Sequence, residues 1–348
     1  MAQWAHYSTP NEEFLKALAE RPPFSPPVVK DPKEGDEEII KRQKLVEEGL
    51  RKIVEAAGPP EGIVVEEKPV PVTTPPGEIK VRVYTPQSED SSETFPVYVH
   101  MHGGGYCIGT LDTDDLVCRA ASAKHRIVVV NVDYRLAPQF PFPTGIEDSY
   151  EAVKWVEANA PSLRVDLKKG FIVGGRSAGA NFTCVITQRA RSDPVLQGKL
   201  TGQVLQIPST VTHSGGYPEK FKDKMISYEQ NKDDPILNRA YLALFIGAYK
   251  PGPQSDVRVS PLLAESFEGL PPAYVQVAGA DVLRDEGLLY EQFMREAGVP
   301  TKLDVYTGVP HGFNAVYPEL RISEKWGEDF HAGMEWLLKF SKQLRTEL

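Results

Sequence analysis

The stretch Phe171-Ile-Val-Gly-Gly-Arg-Ser-Ala-Gly179 joins a short apolar run to a helical pattern that continues from Ala178 to Arg189. Within it, Gly175-Arg176-Ser177-Ala178-Gly179 fits G-x-S-x-G. In this pattern the flanking glycines leave room for a sharp strand-to-helix turn, which lifts the serine hydroxyl clear of the sheet. A helix amino terminus beneath that serine favours developing negative charge. The pattern alone is weak, because a Gly-rich turn with an incidental serine also matches it. Its position between a buried strand and a helix argues for a nucleophile.

Working outward, short apolar or β-branched runs recur at Ile63 to Glu67, Ile79 to Tyr84, Val97 to Met101, Ile127 to Val132, Phe171 to Gly174, Val204 to Ile207, Ala273 to Ala278 and Lys302 to Tyr306. Helical patterns lie at Asp148 to Ala158, Ala178 to Arg189, Leu283 to Ala297 and Glu324 to Leu344. Only a Pro/Gly-rich turn joins the first two runs. Alternating strands and helices after a hairpin predict an α/β fold: a mostly parallel, eight-stranded sheet flanked by helices, with an antiparallel strand at its beginning. Two segments stand apart. Residues 1–60 are Pro-rich near Pro22 to Pro27 and then charged and helical from Glu34 to Ala57. The gap of about 65 residues from Ile207 to Ala273 is too long for a simple loop, and Pro235 to Tyr249 reads as a helix. The expected division is an N-terminal helical segment (1–60) and a main domain (61–348) with an insertion at 209–250, the two extra segments roofing the site.

Immediately after the third strand comes His102-Gly103-Gly104-Gly105-Tyr106. Its glycines leave backbone amides free to face a ligand, and in elbow-bearing hydrolases this loop and the residue after the nucleophile donate N–H groups to the oxyanion. The alternative is a tight turn or a phosphate loop, but the Lys and spacing of a P-loop are absent. His100 and His102 share one strand face. With no third ligand in a matching pattern, structural roles are preferred for both over metal binding.

A serine nucleophile needs a histidine base, which in turn needs a carboxylate, and with such an elbow they follow in the order Ser, acid, His. Of the later histidines, His213 precedes the last two strands and His331 lies in the terminal helical pattern. His311 follows the final strand in a Gly/Pro-bounded loop. Asp281 ends the seventh strand, where ligands gather in open α/β sheets. Its competitor Asp285 falls in the next helix beside Arg284 and Glu286, where capping or pairing is the expected role.

These motifs together resemble the hormone-sensitive-lipase-like family of α/β-hydrolases, over roughly Phe95 to Phe313: HGGGY at 102–106, DYRLAP at 133–138, FP and then Asp148, GRSAG at 175–179, DVLRDEG at 281–287 and HGF at 311–313. The resemblance implies an α/β-hydrolase fold with a helical cap, catalytic Ser177, Asp281 and His311, and oxyanion donors at Gly104, Gly105 and Ala178. It departs at Arg176 and Ala180, where the family usually carries Asp and Gly. Arg176, and with it Tyr106, is expected near the substrate. A positive charge there would favour an acidic substrate group or the oxyanion, unless a nearby carboxylate pairs with it. Trp4, Phe14, Phe24, Phe221, Tyr241 and Phe245 are candidate pocket aromatics, with ordinary core as the alternative.

A net charge of −9 without clustered Lys and Arg disfavours nucleic acid. No secretory signal pattern or run of about 20 apolar residues is present, so a cytoplasmic location is expected. Cys107, Cys118 and Cys184 lack ligand spacing and read as free thiols. The expected partner is a small-molecule ester with a short acyl chain, with no metal or cofactor, and a homodimer is left open. Ester hydrolysis leads, ahead of acyl transfer or lactone opening by the same triad. A catalytically dead receptor, as in the related gibberellin receptors that have lost the histidine, is disfavoured because His311 is present.

Overall fold

The computed structural model describes residues 3–23, 31–212 and 218–343. Phe24, most of the Pro22 to Pro27 stretch, His213 and Leu344 lie outside the described residues.

The chain runs α1 (Glu12–Glu20), α2 (Pro32–Ala57), β1 (Ile63–Thr73), β2 (Pro76–Pro86), β3 (Val97–Met101), α3 (Asp115–His125), β4 (Val128–Asp133), α4 (Thr144–Asn159), β5 (Phe171–Arg176), α5 (Ala178–Ala190), β6 (Gly202–Gln206), α6 (Ser227–Gln230), α7 (Arg239–Tyr249), β7 (Ala273–Ala278), α8 (Arg284–Glu296), β8 (Thr301–Tyr306), α9 (Phe313–Val316) and α10 (Arg321–Gln343). One eight-stranded sheet has the order β1-β2-β4-β3-β5-β6-β7-β8. β2 is antiparallel to β1 and β4, and every later pairing is parallel. The expected sheet, including its antiparallel start, is the one observed.

Strand periodicity explains why both faces are covered. In β3, Val97, Val99 and Met101 face α4 and α5, packing with Val153, Val156, Phe182 and Ile186. Tyr98 points the other way, with Val129 and Ile172, against Cys118 of α3 and Phe330, Met334 and Leu337 of α10. Strands buried on both faces read as continuous apolar runs, which is why β3, β4 and β5 were legible. Helix α3 was not among the predicted helices, since its sequence DLVCRAASAKH buries only a narrow stripe.

The predicted helix at Pro235 begins later, at Arg239. Asp234 captures the N–H groups of Ile236 (2.7 Å) and Leu237 (2.9 Å) in a turn, and Asn238 caps the helix through Tyr241 N. A side chain that bonds its own downstream backbone competes with helix in this way. Helix α2 has matching ends: Asp31 accepts from Glu34 N, Pro32 occupies the first turn, and Gly58 closes it at φ 73°. α2 packs against α7 beyond the carboxyl ends of the parallel strands. No described helix is long and apolar enough to cross a membrane.

Candidate functional site

The elbow is built by close approach of α5 to β3. A Cβ on Gly179 would lie 2.0 Å from the Met101 carbonyl oxygen, and one on Gly175 2.5 Å from both Met101 O and Gly179 O. Only glycine permits that packing. Between them Ser177 is held at φ 54°, ψ −114°, an unfavourable region for a residue with a Cβ. Its N–H donates to Gln206 O at 2.8 Å, which fixes the strained residue to β6.

The turn aims Ser177 Oγ at His311 Nε2, 2.9 Å away, while His311 Nδ1 lies 2.6 Å from Asp281 Oδ2. Asp281 is 1% exposed, and its other oxygen accepts from Leu283 N. Since a carboxylate only accepts, Nδ1 is the protonated nitrogen of neutral His311, leaving Nε2 free to take the serine proton. Asp285 is used elsewhere: Oδ1 accepts from Arg284 Nε at 2.7 Å, and Oδ2 caps Ile226 and Ser227. The loop bearing His311 is anchored by the amino-terminal segment, where Gly308 (φ 75°) donates its N–H to Tyr7 O and passes too close to Thr9 and Asn11 for any side chain.

Facing Ser177, Gly104 (φ 125°), Gly105 (φ 60°) and Tyr106 (φ 67°) form a turn of three successive residues with positive φ. A Cβ on Gly104 would fall 1.8 Å from Ile108 O, and one on Gly105 would enter the Phe245 ring at 2.5 Å. The N–H groups of Gly104, Gly105 and Ala178 find no acceptor among the described residues. Free amides beside a hydroxyl–imidazole–carboxylate relay are what acyl transfer requires.

His102 supports this turn from behind. Its ring stacks on Tyr134 (centroids 4.3 Å apart), and its Nδ1 donates to Gly103 O at 2.7 Å. Burial pushes its pKa down to about 4, so it stays neutral. His100 sits between Tyr98 OH and Asp114 Oδ2, 3.0 Å from the latter. Asp114 thus supplies a carboxylate partner for His100, in keeping with a structural role for that histidine. Burial opposes ionisation of Asp114, but His100, through a hydrogen bond and its charge, and then Arg176 hold the carboxyl well below its ordinary range. Arg176 pairs with Asp114 at 3.6 Å and donates to Asn314 Oδ1 at 3.3 Å, so the expectation of a neighbouring carboxylate is met. The Arg135–Asp148 pair at 2.6 Å uses two residues of the quoted motifs as scaffold.

These groups open into a cavity of about 470 Å³. Val46 and Leu50 of α2, Ile236 and Leu237, and Tyr241, Leu242, Phe245 and Ile246 of α7 form its apolar wall. Arg176 and Tyr106 also line it, the latter stacked on Tyr249 at 3.9 Å. Of the candidate aromatics, Tyr241 and Phe245 reach the cavity. Phe14 packs in the core beside Tyr317, Phe221 beside Phe293, and Trp4 against the cluster around α8. Sequence reading missed Asp234, which is 4% exposed and accepts from His311 N at 3.1 Å. Burial, then the charge of Asp281, raises its pKa to about 7 despite its three backbone donors. It belongs to no motif, and only its place in Asp-Asp-Pro ahead of the apolar helix hints at a turn.

A family model described as alpha/beta hydrolase fold matches residues 98–315. A versiconal hemiacetal acetate esterase of Dothistroma septosporum is 38% identical over 76% of this chain and 79% of its own. A carboxylesterase of Mycobacterium tuberculosis is 38% identical over 68% and 71%. The crystal structure of vibralactone cyclase superposes with a TM-score of 0.87 at 34% identity, covering 97% of both chains. With its sheet order, its elbow and these matches in agreement, the chain belongs to the α/β-hydrolase fold family.

Proposed function

We propose that this enzyme, an ester-hydrolysing α/β-hydrolase, is a serine carboxylic ester hydrolase of the hormone-sensitive-lipase-like group that acts through an acyl-enzyme on small to medium, short-acyl esters. The observation that carries the reading is the run Asp281 Oδ2, His311 Nδ1, His311 Nε2 and Ser177 Oγ, with steps of 2.6 and 2.9 Å, opening onto the cavity.

In this reading His311 Nε2 takes the Ser177 proton as Oγ attacks the ester carbonyl, and Asp281 stabilises the imidazolium. The oxyanion forms against the N–H groups of Gly104, Gly105 and Ala178, which are already in place and need no reorganisation as charge develops. His311 then passes the proton to the leaving alkoxide. Water, deprotonated by the same nitrogen, attacks the acyl-enzyme, and as the intermediate collapses to the acid His311 Nε2 returns that proton to the departing Ser177 Oγ. Residues 1–60 and 209–250 serve as the cap, with α2 and α7 setting the cavity wall. A volume of about 470 Å³ lies toward the lower part of the range of ~300–1,000 Å³ for small-molecule pockets, in keeping with short acyl groups.

Purified protein should release a burst of p-nitrophenol from p-nitrophenyl butyrate, followed by steady turnover, and Ser177→Ala should abolish both. No turnover by the unaltered protein, or unchanged turnover in the variant, refutes the reading. Across acetate, butyrate, octanoate and palmitate esters the optimum should fall at acetate or butyrate.

The likeness to vibralactone cyclase supports a second reading, in which a hydroxyl within the substrate replaces water as acyl acceptor. Mass spectrometry of products from hydroxyacyl esters separates the two, since lactone rather than free acid marks the cyclase.

A further inference from the structure

We propose that Asp234 is a positioning residue for this reaction: it straps the cavity wall to the loop that carries His311. The inference rests on the ester-hydrolase reading and deepens it.

The short segment from Asn231 to Leu237 touches the backbone of both partners of Ser177. Asn231 Nδ2 donates to Asp281 O at 2.8 Å, and Asp234 Oδ2 accepts from His311 N at 3.1 Å. The other oxygen of Asp234 holds Ile236 N and Leu237 N, whose side chains form part of the cavity wall. Ser8 Oγ in turn donates to Asn231 Oδ1, so the amino-terminal segment braces the strap.

A buried carboxylate so close to Asp281 is costly. A neutral amide would fill the turn at Ile236 and Leu237 equally well, since Asn is a favoured residue for such turns. Helix capping therefore does not account for a carboxylate here. What an amide cannot do is accept from all three N–H groups at once. The second carboxylate oxygen is needed by His311 alone, and it fixes the height of the imidazole above Ser177.

Asp234→Asn separates the two roles. Its amide oxygen stays on Ile236 and Leu237, and its NH₂ then faces the His311 N–H, donor against donor. The expected result with p-nitrophenyl butyrate is a kcat lowered about tenfold with KM within about twofold, because misplacement of a reacting group by about 1 Å can cost about 10²-fold and a smaller shift costs less. Asp234→Ala releases the wall as well, so kcat falls at least as far and KM rises. In a His311→Ala background, Asp234→Asn should leave the residual rate unchanged, since the residue acts only through His311. An Asn variant with unaltered kcat, a change confined to KM, or an equal loss with and without His311 overturns the proposal; the last outcome also covers a variant that merely unfolds. Absence of turnover by the unaltered protein refutes the ester-hydrolase reading instead.

Discussion

The floor and the wall of the cavity follow opposite rules. On the floor, backbone geometry does the placing: Ser177, Gly104 and Gly105 take positive φ, and at Gly175, Gly179, Gly104 and Gly105 close approaches leave no space for a Cβ. The wall is made by side chains of α2 and α7, in ordinary helical backbone, presenting Val46, Leu50, Tyr241, Leu242, Phe245 and Ile246. A floor position therefore tolerates one residue type, while a wall position tolerates any apolar residue of suitable volume. Chemistry is fixed below and substrate choice is adjustable above.

Removing charge from the floor should have the largest effect. Asp281→Asn is expected to lower kcat by about 10⁴-fold, because an amide favours the wrong histidine tautomer. Asp285→Asn should cost thermal stability and little rate, since Asp285 binds Arg284 and caps Ile226 and Ser227. Steady-state kinetics beside thermal unfolding tests this, and reversed outcomes would exchange the two assignments. Next comes Gly104→Ala, whose Cβ meets Ile108 O at 1.8 Å and must distort the turn. A loss of about 10²–10³-fold in kcat is expected if the turn supplies oxyanion donors, and an active Ala variant would remove Gly104 from that role.

On the wall, Leu50→Trp should lower kcat/KM for octanoate esters by about tenfold and leave acetate within about twofold, a discrimination of the size that pocket shape provides. An equal loss on both esters would mean that the wall also positions the chemistry. Arg176 touches both regions, and its charge is shared with Asp114 at 3.6 Å. Arg176→Gln should therefore change kcat/KM only about threefold, the scale of a partly compensated ion pair, and more for an ester bearing a carboxylate than for a neutral one. The same change on both would leave Arg176 a structural residue.

The smallest effect is in stability. Asp234 faces Asp281 and His311, and its folded pKa of about 7 stands above the ordinary 3.8. Between these values the folded state holds a proton that the unfolded state has released, so this group makes stability decline as pH rises from about 4 to 7. Thermal melting across that window should show a shallower decline in Asp234→Asn, and identical slopes would assign the pH dependence elsewhere.

Much of the floor was legible because its requirements are local. A glycine forced by a close backbone approach leaves a fixed mark, so GRSAG and HGGGY stand out. Asp281 and His311 were legible because the parallel strands β7 and β8 fix where their loops emerge. Asp114 and Asp234 carried no such mark. Each is an acidic residue in a loop, and its partner comes from another part of the chain, His100 and Arg176 for one and His311 for the other. The aromatic candidates show the same limit: Tyr241 and Phe245 line the cavity while Phe14 and Phe221 fill core, a division set by what each element packs against.

The sequence by itself determined the sheet, its antiparallel start, the elbow and the order of Ser177, Asp281 and His311, because strand periodicity and glycine-dependent turns are properties of a few consecutive residues. Only the tertiary structure decided that α2 meets α7 over Ser177, that Arg176 shares its charge with Asp114, and that Asp234 rather than a motif residue holds His311 from behind. Those contacts join residues far apart in the chain, and a buried charge acquires its role only from what the fold brings beside it.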